Sequence, residues 1–120
     1  MKNTMHILRV GQPAEVREVE FKANREDYDG PGYEQLRELI EPVLGGPLEH
    51  VSVLWNGERA DMFVDELGHV ELTTRDPLPR NDEATAIYRA NWLKQHPGTD
   101  PETLAWIAGT AILFRVRVWF

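Results

Sequence analysis

The chain has 120 residues, 42% of them hydrophobic and 28% charged, a formal net charge of −7 and no cysteine. That length suits one domain with its own core, and the balance is that of a globular rather than a disordered chain. The missing cysteines exclude disulfides, thiolate metal ligands and thiol catalysis and point to a reducing, cytoplasmic setting, while the negative charge argues against a general nucleic-acid binder, which needs clustered Lys and Arg.

In chain order, "MHILRV" (5–10) reads as a first strand, and the apolar run there is too short for a signal peptide. "GQP" (11–13) is a turn, and "EVREVEF" (15–21) alternates, Val16, Val19 and Phe21 suiting a half-buried strand with an imperfect register around Glu18 and Val19. Residues 22–32 are polar and turn-rich. Pro31 suits the first position of a helix, and Tyr33, Leu36, Leu39, Ile40, Val43 and Leu44 recur at helical spacing. Pro42 predicts that this helix ends or kinks near Ile40. Leu48, Val51, Val53 and Trp55 form the next strand pattern, and Asn56-Gly57 predicts a type I′ hairpin turn. Met62 and Val64 continue the sheet to a turn at 65–68, and Val70 and Leu72 begin a third strand of this meander.

A proline-containing loop leads to a second helix, capped by Asn81 or Asp82. Its core face is Ala84, Ile87, Tyr88, Asn91 and Trp92, and "HPG" (96–98) stops it. Asp100-Pro101 opens one or two further turns through Trp106. The closing "TAILFRVRVWF" alternates, with Ile112, Phe114, Val116, Val118 and Phe120 on one side and Leu113, Arg115, Arg117 and Trp119 on the other. The order β-β-α-β-β-β-α-β predicts an α+β fold: a mainly antiparallel sheet of about six strands with two helices packed on one face. No apolar stretch approaches the roughly 20 residues needed to cross a bilayer. A long aromatic last strand at a sheet edge would favour a two-fold homodimer; alternatively Trp119 and Phe120 complete the core.

The residues that could carry chemistry are few. His6, His50, His69 and His96 include no pair at helical metal-ligand spacing. Glu66, His69 and Glu71 fall on a predicted turn, where polar residues occur anyway, so neither a metal nor a cofactor is expected. Asp61 with Asp65, or Glu49 with Glu58, would be paired carboxylates only if close and perturbed. Glycine-rich phosphate loops and nucleophile-elbow motifs are missing, and the one serine, Ser52, lies mid-strand, so no catalytic residue is assigned.

Two surfaces remain as candidates. At the start of the second helix, Arg80, Asn81 and Thr85, with Tyr88 and Arg89 beside them, suit a small anion held by free N–H groups and a guanidinium. The competing reading is plain capping. Arg115, Arg117 and Trp119 form a basic-aromatic strand face that suits a nucleotide, or else a solvated face paired to carboxylates. Separately, Glu26, Asp27, Asp29, Glu34, Glu38, Glu41 and Glu49 are opposed by Arg37 alone. That run is either a solvated face or a decoy imitating nucleic-acid phosphates.

"FVDELGHVELTTRDPLPRNDEATAIYRANW" and "WIAGTAILF", together with "GQPAEVREVE" and "YEQLRELI", resemble the domain-of-unknown-function family 3846. Its members are small proteins of phages, plasmids and bacterial genomes. "HPGTDPETLAW" and "RVRVWF" fall outside the shared pattern. The resemblance transfers no site residue; it implies an accessory protein of a mobile element or its host. The leading expectation is therefore an accessory protein binding a protein or a small anionic ligand. The alternatives are an acidic decoy for a nucleic-acid-binding protein and a small carboxylate or metal-dependent hydrolase.

Overall fold

Apolar residues on both sides of the central strands dictate the architecture. The computed structural model describes residues 2–20, 31–70 and 76–115. Among the described residues five strands form: β1 (Lys2–Leu8), β2 (Glu15–Glu20), β3 (Leu48–Trp55), β4 (Glu58–Asp65) and β5 (Ala111–Phe114). They make one sheet in the order β2-β1-β5-β4-β3, and every neighbouring pair is antiparallel. Two helices complete the fold, α1 (Pro31–Leu44) and α2 (Asp82–Gln95).

All four residues of β5 are buried. Ile112 and Phe114 join Met5, Ile7 and Phe63 beneath Leu36, Ile40 and Leu44 of α1. Ala111 and Leu113 face the other way, with Leu8, Met62 and Val64 beneath Ala84, Ile87 and Tyr88 of α2. The two helices therefore lie on opposite faces of the sheet, not on one as the element order suggested. Central strands that are apolar on both sides need cover on both sides. On the α1 face, Phe63 and Phe114 meet edge to face, ring centroids 5.9 Å apart.

Other expectations are corrected in detail. The first strand begins at Lys2 and ends at Leu8, with Arg9 already in the turn. α1 runs on through Pro42 to Leu44. Glu38, whose carbonyl loses its bond to the proline, and Pro42 itself are both exposed, so that carbonyl is not walled off in the core. Continuing the helix also buries Leu44 in the core. The sixth strand does not begin at Val70, which lies exposed on a bend; Glu71 and Leu72 are outside the described residues. The turn at Pro101–Thr103 is a single 3₁₀ turn capped by Asp100, and the chain from Leu104 is extended rather than helical. The last strand, a candidate edge, is central. That holds for Ala111–Phe114; Trp119 and Phe120 lie outside the described residues.

The Asn56-Gly57 turn forms as its sequence predicts, with φ of 54° and 81°. No described helix is long and apolar enough to cross a membrane.

Candidate functional site

The polar residues chosen at the start of α2 face a segment of their own chain. Residues 101–109 cross α2 as a strap before entering β5. Asn81 is the N-cap of α2, its Oδ1 accepting from the Ala84 N–H at 3.1 Å. Its Nδ2 donates to the carbonyls of Leu8 (2.8 Å) and Gly109 (2.9 Å), and its backbone N–H donates to Ile107 O (2.8 Å). Asn81 is thus buried, with its side chain spent inside the fold. Thr85 is buried one turn on, its hydroxyl oxygen accepting from the Ile107 N–H at 2.9 Å. Arg89 follows. Its Nε donates to Ala105 O (3.3 Å), its Nη2 to Leu104 O (3.1 Å), and its Nη1 lies 3.6 Å from Glu102 Oε1.

Arg80 is exposed and pairs with Asp82 at 3.1 Å. The hollow beside it, about 300 Å³, is lined by Arg9, Gln12, Pro13, Arg80, Asp82 and Glu83. Arg9 is already paired with Glu15 at 2.9 Å. Each guanidinium there has a carboxylate, and Asp82 and Glu83 already place negative charge on the first turn of α2.

Tyr88 points elsewhere. It borders a larger cleft, about 450 Å³, between β3, α2 and the strap. Val51 and Val64, on the α2 face of the sheet, give it an apolar floor. Ala105, Trp106 and Ile107 of the strap form one wall. Glu49 is opposite Val64 in the β3–β4 register, so it shares that face. Glu66 donates its backbone N–H to Pro47 O at 2.9 Å, which brings it to the same end of the hairpin. The strap also meets the turn after β4: a Cβ added at Gly68 would stand 2.9 Å from Ala108 O. Only glycine allows so close an approach.

His69 closes the corner. Its Nε2 is 2.7 Å from Trp106 O, and its ring packs edge-on against the Trp106 indole at 5.2 Å. A carbonyl only accepts, so Nε2 carries the proton. Trp106 itself remains 45% exposed. Among the described residues, neither Glu49 nor Glu66 forms an ion pair, and the Tyr88 hydroxyl forms no hydrogen bond. Glu71, the third residue of the turn constellation, lies outside the described residues, and among those described no three His, Asp or Glu side chains converge on a metal position.

The paired-carboxylate arrangements do not assemble. Asp61 and Asp65 lie four residues apart on β4, about 13 Å along a strand. Asp61 is buried against His50 Nε2 at 2.8 Å, and Asp65 accepts from the Leu67 N–H at 2.8 Å. Glu49 and Glu58 stand at opposite ends of the β3–β4 hairpin. Ser52 Oγ accepts from Arg59 Nε at 3.0 Å.

Of the basic-aromatic face, Arg117 and Trp119 lie outside the described residues. Arg115 sits over the Trp55 ring, 5.4 Å from its centroid, and His6 meets the same ring edge-on at 4.7 Å. Burial, and then the Arg115 charge, hold the His6 imidazole below its ordinary range. In the acidic run, Arg37 pairs with Glu34 (3.1 Å) and Glu41 (3.2 Å), while Glu26, Asp27 and Asp29 are outside the described residues. Trp92, expected in the core, is 44% exposed and stacks on His96.

Sequence reasoning missed Trp106 and the placing of Glu49 and Glu66 along one cleft. Trp106 was assigned to a helix, and nothing in its spacing marks an exposed wall. The chain matches no protein-family model, no curated protein and no solved structure.

Proposed function

We propose that this protein is a non-catalytic binding module and that the cleft between β3, α2 and the 105–108 strap is where its partner docks. One observation carries the reading: the cleft joins an apolar floor and an exposed tryptophan to polar groups that the fold itself does not use. Concave, mostly apolar sites with a few oriented polar groups are where proteins take ligands. At about 450 Å³ the cleft has room for one or two partner side chains or a small molecule. Its chemistry is that of recognition. The His69 ring is tied to a carbonyl, and Ser52 Oγ is held by Arg59. A role as an accessory protein of a mobile element or its host, which the resemblance to family 3846 implies, fits a binding module of this kind.

An anionic ligand at the start of α2 has less support, because Asn81 is consumed and Arg80 is paired. A fragment screen by NMR on isotope-labelled protein tests the choice. Hits are expected to move the Trp106 indole and Tyr88 resonances and to lose that effect in Trp106→Ala. Hits that gather instead at Arg80 and Asp82 would overturn the assignment.

A further inference from the structure

The geometry points to a cation as the occupant of this cleft: an arginine or lysine side chain on a basic segment of a partner protein. The inference rests on the docking reading above and adds the chemistry of what docks. Among the described residues, no lysine or arginine lines the cleft. Its two exposed carboxylates, Glu49 and Glu66, come from one end of the β3–β4 hairpin. Neither has a cation of its own among the described residues.

The donors in the cleft are few. The His69 Nε2–H is spent on Trp106 O, while carboxylates and the Tyr88 hydroxyl oxygen can all accept. Trp106 and Tyr88 add ring faces to which a guanidinium or ammonium is drawn. The apolar floor of Val51 and Val64 suits the aliphatic stem of the same side chain. An anion would meet two carboxylates and no compensating charge. The net charge of −7 acts in the same direction at long range, raising the encounter rate with a basic partner.

The contrast with the hollow beside Arg80 is instructive. There, carboxylate and guanidinium are present in pairs; here, among the described residues, the carboxylates have no guanidinium beside them.

The test uses four short capped peptides that differ at one central residue: arginine, lysine, norleucine or glutamate. Each is titrated into the full chain and followed by NMR at the Trp106 indole. The arginine and lysine peptides are expected to bind and to weaken as salt is raised, since exposed charge pairs are screened. The double variant Glu49→Gln, Glu66→Gln should weaken them about tenfold, the scale of a charge-assisted contact. Both positions are exposed, so the fold is retained, which the unchanged amide spectrum verifies. Norleucine binding as well as arginine would overturn the inference while leaving the docking site in place. Tighter binding of the glutamate peptide would overturn it too. If saturating arginine and lysine peptides leave the Trp106 signal unmoved, a cation is not the occupant, and the fragment screen alone then decides whether the cleft is a site.

Discussion

Two groups of side chains flank α2 with similar chemistry and opposite fates. Asn81, Thr85 and Arg89 face the 101–109 strap and spend their polar groups on its backbone. Glu49, Glu66, Tyr88 and Trp106 border the cleft, and among the described residues their side-chain polar groups form no hydrogen bond or ion pair. A side chain's residue type therefore says little about its readiness to bind. What matters is whether the chain has already used it. The first group holds the wall, and the second is displayed on and around it.

Substitutions can break this division. Asn81→Ala should be the most damaging, because it removes a helix cap and leaves the Leu8 and Gly109 carbonyls without their donor. A loss of about 3 kcal/mol is expected in urea denaturation. Arg89→Ala should cost about 2 kcal/mol, mostly from the unpaired Leu104 and Ala105 carbonyls, since the contact to exposed Glu102 adds little. It should also loosen the strap and shift the tryptophan emission toward that of a solvated indole. Trp106→Ala, by contrast, should change stability by less than about 0.5 kcal/mol. If it unfolds the protein as Asn81→Ala does, Trp106 belongs with the staples and the division fails.

The smallest effect concerns His6, away from both groups. Its folded imidazole is held below the ordinary value of 6.5, so the unfolded chain takes up the proton more readily. Its contribution is complete above 6.5 and declines as pH falls below that value toward the lowered folded one. His6→Gln removes this component. Melting curves between about pH 7.5 and 5 should show the wild type losing more stability than the variant on acidification. Parallel curves would contradict the shift.

Much of the fold was legible because local rules decided it. Asn56-Gly57 needs positive φ and has it; Asn81 caps and His96 ends α2 as the motifs predict. The alternation over 111–114 assigns its residues to two faces correctly. Alternation does not say which element covers each face, so the placement of the helices was missed. The helix does not end at Pro42 as one reading of it allowed, because going on to Leu44 buries that leucine, which spacing around the proline does not show. The site was harder still. Thr85 and Arg89 looked available because the strap that buries them comes from residues 101–109, distant in sequence. Glu49 and Glu66 looked ordinary because their sharing one cleft depends on the turn after β4.

The position of β5 has a consequence for synthesis on the ribosome. β1–β2 and β3–β4 are each local hairpins, and within the sheet, among the described residues, it is Ala111–Phe114 that joins them, pairing with β1 on one side and β4 on the other. A nascent chain that has not yet released those residues holds two separate half-sheets, each with an open inner edge. Those edges are sticky toward any other strand. Closure draws on pairs about a hundred residues apart to β1 and about fifty apart to β4, long-range contacts of the kind that slow folding. The chain is thus most exposed to mispairing in the interval just before its last strand arrives.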